Sequence, residues 1–184
     1  MKYFKELAVI IEKIEVTHGQ GKNLSLDDAV SRIAGLIGDC DVGKNKVICV
    51  GNGGSCAIAS HATTDLLKNA KIPAMTVSDA SLLTCLSNDL GYENVFQKPI
   101  EFFAQKGDTV FAISSSGSSK NILNAAITAK NKGCFLVTFS GFEKTNPLRK
   151  LGDINFYVPS KSYGYVELAH SIICHCITDC LSQR

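Results

Sequence analysis

The residues with the clearest chemical promise are Ser114, Ser115, Ser116, Ser118 and Ser119, five hydroxyls around Gly117 in the run I-S-S-S-G-S-S-K-N at 113–121. An apolar run (109–113) leads in and a helical pattern (121–132) leads out. A strand that ends in such a turn and opens into a helix can hold an anion. The first N–H groups of the helix lack intrahelical partners, and the helix dipole adds about half a positive charge there. The same residues also suit a plain polar loop, with Ser119 as the cap of the helix.

A second loop, Gly51-Asn52-Gly53-Gly54-Ser55, follows the apolar run 46–50. Three glycines let backbone approach a ligand closely, while Asn52 and Ser55 add polar groups. Ala57 and Ile58 stand where a dinucleotide fingerprint needs its last glycine, and the lysine of a P-loop is missing. His61 and Asp65 come next, four apart and so on one helix face: a two-ligand arm for a divalent ion, or a simple surface pair. Near the C-terminus stand Glu167, His170 and His175. Glu167 and His175 are separated by two helical turns plus about 80°, or ~12 Å along the axis, and could share an ion only by leaning together. His170 is turned about 140° from His175 and reads as a buried histidine with a backbone partner. Asn88-Asp89-Leu90-Gly91-Tyr92 reads as a helix end and turn.

The elements that must position these residues alternate along the chain. A first helix covers 1–17, with Phe4, Leu7, Ile11 and Ile14 on one stripe, and 18–23 breaks it. That helix is apolar enough to be covered either by its own domain or by another subunit. Ser25 caps a second helix whose Ala29, Ile33, Leu36 and Ile37 face inward. Strands are expected at 46–50, 74–77, 109–113, 134–139 and 154–158. Helices are expected at 56–69, from an Asp79 cap to residue 86, at 93–105, at 121–132 and at 165–181. Five short apolar runs separated mainly by helices predict an α/β fold: a three-layer αβα sandwich around a five-stranded parallel sheet. No linker or repeat divides residues 1–184, which reads as one domain. In such sheets ligands lie beyond the carboxyl ends of the strands, where both polar loops fall.

Composition narrows the function classes. The 184 residues are 45% hydrophobic and 20% charged, with a formal net charge of +2, and no basic run suggests a nucleic-acid partner. No apolar run is long enough for a membrane span, and Met1-Lys2-Tyr3-Phe4-Lys5-Glu6 lacks the features of a signal peptide. The eight cysteines contain no C-x-x-C pair, and several sit in apolar segments as free thiols do. A reduced, cytoplasmic protein is expected.

Taken together and in order, Gly51-Asn52-Gly53-Gly54-Ser55, His61 four before a carboxylate, Asn88-Asp89-x-Gly91, S-x-S-G-x-S at 114–119 and Val-Glu-x-x-His with a second His five further on resemble the phosphoheptose isomerases of the sugar isomerase (SIS) domain superfamily. The resemblance runs over the whole chain. It implies a SIS domain whose N-terminal helices (about 1–40) help build a homotetramer, with sites shared between subunits. It implies interconversion of sedoheptulose 7-phosphate and D-glycero-D-manno-heptose 7-phosphate for bacterial lipopolysaccharide or capsule. By position, Ser114, Ser115, Ser116 and Ser119 would bind the phosphate, and Asn52, Gly53, Gly54, Ser55, Asn88 and Asp89 would contact the sugar. His61, Asp65, Glu167 and His175 would match zinc ligands, with Asp65 and Glu167 also lining the substrate site. Asp65 and His175 would match the acid/base pair.

That chemistry suits the residues. Aldose–ketose isomerisation moves a proton between neighbouring carbons through an enediol, which calls for one group on carbon and another on oxygen. This chain departs from the family pattern at three places. Asp65 stands where Glu is usual, Glu167 where Gln is usual, and Tyr163-Gly164-Tyr165 replaces a more polar lead-in. Glu167 could therefore replace Asp65 as the base. An isomerase of another sugar phosphate, or a non-catalytic SIS module that binds a sugar phosphate and regulates a partner, is the alternative.

Overall fold

Strict alternation of side chains along the apolar runs builds the sheet. Val47, Cys49, Phe111, Ile113, Val137, Phe139, Ile154 and Phe156 enter one core, and Ile48, Val50, Val110, Ala112 and Leu136 enter the other. Both faces are therefore covered, as a parallel sheet requires. The structure, a computed structural model, describes residues 1–19, 21–39 and 44–183; Cys40 lies outside them. The strands are β1 (Glu15–His18), β2 (Lys22–Leu24), β3 (Val47–Gly51), β4 (Ala74–Thr76), β5 (Thr109–Ser114), β6 (Phe135–Ser140) and β7 (Ile154–Tyr157). The helices are α1 (Lys2–Glu12), α2 (Leu26–Gly38), α3 (Gly54–Lys68), α4 (Ala80–Leu90), α5 (Gln97–Phe103), α6 (Lys120–Asn131) and α7 (Tyr163–Ser182). Helices α2, α3 and α7 pack on one face of the sheet, and α5 and α6 on the other.

The strand order is β2-β1-β7-β6-β5-β3-β4. Strands β4, β3, β5, β6 and β7 are mutually parallel, the expected five-stranded core. The whole sheet has seven strands, because β1 and β2 add an antiparallel hairpin at the β7 edge. The expected first helix over 1–17 therefore stops at Glu12. Beyond it Val16 is buried, Glu15–His18 pairs with β7, and Gly19 and Gly21 turn the hairpin at positive φ. Of the apolar stripe that suggested one long helix, Phe4, Leu7 and Ile11 lie in α1, and Ile14 falls between α1 and β1.

Several sequence signals hold in detail. Ser25 Oγ accepts from Asp28 N at 3.0 Å and Asp79 Oδ1 from Leu82 N at 3.0 Å, so both cap their helices. Helix α4 continues past residue 86 to Leu90 and stops at Gly91, whose φ is +85°. The stretch 93–105 divides into a 3₁₀ turn (Tyr92–Asn94) and α5, which carries Pro99 in its first turn, where proline is tolerated. In α2 the buried stripe is Ala29, Val30, Ile33, Ala34 and Ile37, while Leu36 is exposed.

The order β4-β3-β5-β6-β7 reverses direction between β3 and β5, because the chain moves outward to β4 and then returns to the far side of β3. A crevice opens at such a switch point, above the carboxyl ends of the strands. Loop 52–53 and α3 follow β3 there, and loop 115–119 and α6 follow β5. The fold thus brings together two polar loops about sixty residues apart in sequence.

Candidate active site

The serine loop closes on itself before it closes on anything else. Gly117 N–H donates to Ser114 O at 3.0 Å and lies 3.2 Å from Ser114 Oγ, and Ser118 N–H donates to Ser116 Oγ at 3.2 Å. Gly117 has φ +62°, and a Cβ there would collide with the Asn146 side chain, so only glycine fits. Asn146 staples the neighbouring loop from behind, donating to Gly141 O and Glu143 O. Ser119 occupies the N-cap of α6 but makes no side-chain cap; its hydroxyl lies 3.4 Å from Ser114 Oγ instead. The expected capping role of the Ser119 side chain is thus not realised. Ser115 Oγ is buried without a hydrogen-bond partner.

A cavity of about 210 Å³ lies in front of this loop. Ser114, Ser115, Ser116 and Ser119 line one side and Asn52, Gly53, Gly54 and Ser55 the other, so the two polar loops meet at one crevice, with Gly51 and Ser118 outside its lining. Tyr163 and Glu167 of α7 complete the lining. The Glu167 carboxylate rests against Gly54, where any Cβ would overlap it. The contact places a carboxylate in a cavity otherwise lined by neutral groups.

Helices α3 and α7 run side by side in the same direction. Gly54 at the start of α3 touches Glu167 near the start of α7, and further on Asp65 meets His175. Asp65 Oδ2 lies 3.4 Å from His61 Nε2 and 3.3 Å from His175 Nδ1, and the two imidazole rings are 5.0 Å apart and nearly perpendicular. Asp65 Oδ1 accepts from Asn69 Nδ2 at 3.4 Å. The three ligand atoms lie within 4.8 Å of one another. Ligands about 2.1 Å from a zinc ion stand about 3.4 Å apart, so the two separations to Asp65 are compatible with a divalent ion that His61, Asp65 and His175 would hold. Glu167, expected as the fourth ligand, is not in this cluster: eight residues of α7 carry it back to the serine cavity.

The remaining residues fall as follows. Asn88 and Asp89 close the exposed end of α4, with Asn88 Nδ2 donating to Asp89 Oδ1 at 2.8 Å, and neither lines the serine cavity. His170 is fully buried with Nε2 3.1 Å from Ser140 O, and burial pushes its pKa down to about 4. It is the core histidine that its helical position suggested. Cys49 and Cys174 are buried free thiols; burial raises Cys49 to about 12 and Cys174 well above the ordinary range. No helix among the described residues is long and apolar enough to cross a membrane. Sequence reasoning missed Tyr92 and Asn121, whose side chains both bond Asn52.

Comparison with known proteins places the chain in a family. The SIS domain family matches residues 2–141. A phosphoheptose isomerase of Sulfurimonas denitrificans is 35% identical over 189 residues, covering 100% of this chain and 95% of its own. The chain belongs to the phosphoheptose isomerase family. Another family member, from Glaesserella parasuis, is 39% identical over 139 residues, covering 73% of this chain and 72% of its own. Among solved structures, a phosphoheptose isomerase from Francisella tularensis superposes with a TM-score of 0.84 at 25% identity, over 100% of this chain and 96% of that one. Phosphoheptose isomerases thus share both the sequence and the α/β architecture of this protein.

Proposed function

We propose that this protein is the isomerase that interconverts sedoheptulose 7-phosphate and D-glycero-D-manno-heptose 7-phosphate, acting in the cytoplasm to supply lipopolysaccharide or capsule synthesis. The observation that carries the reading is its 35% identity, over its full length, to a protein of that name. The geometry fits the chemistry. A hydroxyl-lined cavity at a helix start suits a phosphate, and a carboxylate between two imidazoles suits proton transfer.

In this reading Ser114, Ser115, Ser116 and Ser119 hold the phosphate, with the buried Ser115 hydroxyl as a donor that lacks any protein partner. Asn52, Gly53, Gly54 and Ser55 hold the sugar chain, and Asn88 and Asp89 reach it from the end of α4. Fixing the far end of the substrate orients the reacting carbons. Asp65 takes the proton from one carbon and returns it to the next, while His175 moves a proton on the neighbouring oxygen. His61, Asp65 and His175 would hold a zinc ion, with Glu167 able to approach only by a change of side-chain direction. A bound divalent ion would stabilise negative charge developing on the enediol oxygen.

Asp65 lies eleven residues beyond Gly54 on α3, or about 16 Å along the helix. Within one chain the phosphate grip and the proton-transfer pair are therefore well separated. Sharing of the site within a homotetramer, with one chain's serine loop facing another's Asp65 and His175, accounts for that separation. It also accounts for α1, in which no residue is buried and Phe4 is 63% exposed.

The test is proton exchange. In deuterated water with zinc present, the protein should exchange the C1/C2 proton of sedoheptulose 7-phosphate and form the aldose. Binding of the sugar phosphate without exchange would reject the enzyme reading in favour of a binding module. Elemental analysis of protein prepared without chelator should find about one divalent ion per chain, falling several-fold in His61→Ala. Full activity in metal-free protein would overturn the metal assignment.

A further inference from the structure

Hydrogen-bond counting around Asn52 leads to one more assignment, which rests on the isomerase reading only for its choice of ligand. Asn52 Oδ1 accepts from Asn121 Nδ2 at 2.9 Å and from Tyr92 Oη at 2.8 Å. An amide oxygen has two lone pairs, so this one is fully used. Asn52 Nδ2 gives one hydrogen to Asn121 Oδ1 at 2.9 Å. One N–H remains, on a residue that lines the serine cavity.

The polarity of this arrangement comes from the backbone. Two asparagines bonded head to tail satisfy each other equally well with both amides turned over, so the pair alone decides nothing. Ile122 N–H, which can only donate, breaks the tie. It lies 3.0 Å from Asn121 Oδ1 and also 3.1 Å from Ser119 O. That contact makes the Asn121 atom beside Ile122 N–H an oxygen, which leaves its Nδ2 to donate to Asn52 Oδ1. Tyr92 then donates into the remaining lone pair. Asn121 is 2% exposed, so water does not compete for its side chain, and it opens the helix that follows the serine loop.

We infer that Asn121 and Tyr92 are positioning residues that hold Asn52 as a donor-only contact, so that this corner of the site selects an acceptor oxygen of the sugar phosphate. A carbonyl, hydroxyl or phosphate oxygen fits there; a group that must donate does not. The device also ties the two halves of the crevice together, since Asn52 follows β3 and Asn121 follows the serine loop of β5. Neither Asn121 nor Tyr92 needs to touch the substrate.

The test reads the Asn52 side-chain amide in the ¹⁵N-labelled full-length protein, identified by its loss in Asn52→Asp. In free protein its two Nδ2 protons should exchange at clearly different rates, one protected by Asn121 and one open. Sedoheptulose 7-phosphate should shift the open one. Tyr92→Phe, at a residue 55% exposed and therefore safe for folding, should narrow the difference in exchange. It should also raise KM three- to tenfold with kcat within twofold, and Asn121→Ala should do the same more strongly. Equal exchange of the two protons in the wild type, or a wild-type KM in Tyr92→Phe, would overturn the assignment. The exchange arm needs no turnover. Failure to isomerise with the amide pattern intact would therefore count against the activity and not against the positioning.

Discussion

Asp65→Asn is expected to lower kcat by about 10²- to 10⁴-fold, the usual worth of a positioned general base, while leaving sugar-phosphate binding within a few-fold of wild type. The substitution keeps the shape of the side chain and replaces one oxygen with an amide. His61 and His175 lie 3.4 and 3.3 Å from Asp65 Oδ2, so a neutral amide preserves their packing but accepts no proton. The cavity that would grip the phosphate is lined by the two polar loops and by Tyr163 and Glu167, and Asp65 is not among its lining residues. Binding and chemistry should therefore separate cleanly, with calorimetry reporting the first and deuterium exchange at C1/C2 the second. Exchange at the wild-type rate in Asp65→Asn would move the base elsewhere, and Glu167 is the next carboxylate in the crevice. A parallel loss of binding would mean that Asp65 shapes the cavity and is not simply the base.

What was legible in the sequence was whatever local chemistry decides. Ser25 and Asp79 cap the helices they were expected to cap because a side-chain oxygen three residues before a free N–H needs no distant partner. The five parallel strands were legible because an apolar run buried on both faces has few alternatives in an α/β chain. The β1–β2 hairpin was not, since Ile14 continues the helical stripe of α1 right up to its start; pairing with β7 some 140 residues later decides it. Ser119 shows the same limit from the other side. A capping position was correctly read, yet the hydroxyl turns toward Ser114 across the loop. For the site, spacing alone gave His61 with Asp65 but could not say where α7 would set its carboxylate. The parallel packing of α3 and α7 resolves that by matching Gly54 to Glu167 and Asp65 to His175. Tyr92 and Asn121 escaped because a tyrosine in a turn and an asparagine at a helix start have ordinary local roles. Their contact with Asn52 spans 40 and 69 residues.

Glu167→Gln should lower KM for the sugar phosphate about fivefold with kcat largely retained. The Glu167 carboxylate lines the cavity in which the serines would hold a phosphate. Two unit charges 4 Å apart repel by ~1 kcal/mol in water and ~4 kcal/mol at an effective dielectric of 20. Glu167 is only partly buried, so solvent screening keeps the repulsion toward the lower of these, which is still about a factor of five in affinity. The amide has the same length, still fills the space beside Gly54, and adds a donor facing the phosphate. Salt offers an independent check. Screening weakens like-charge repulsion, so raising the ionic strength should improve wild-type KM more than that of Glu167→Gln. A collapse of kcat in Glu167→Gln would instead show that this carboxylate carries the proton, and the serine cavity would then hold the reacting end of the sugar. The two outcomes place the chemistry at opposite ends of the paired helices α3 and α7, so this one substitution decides which end performs it.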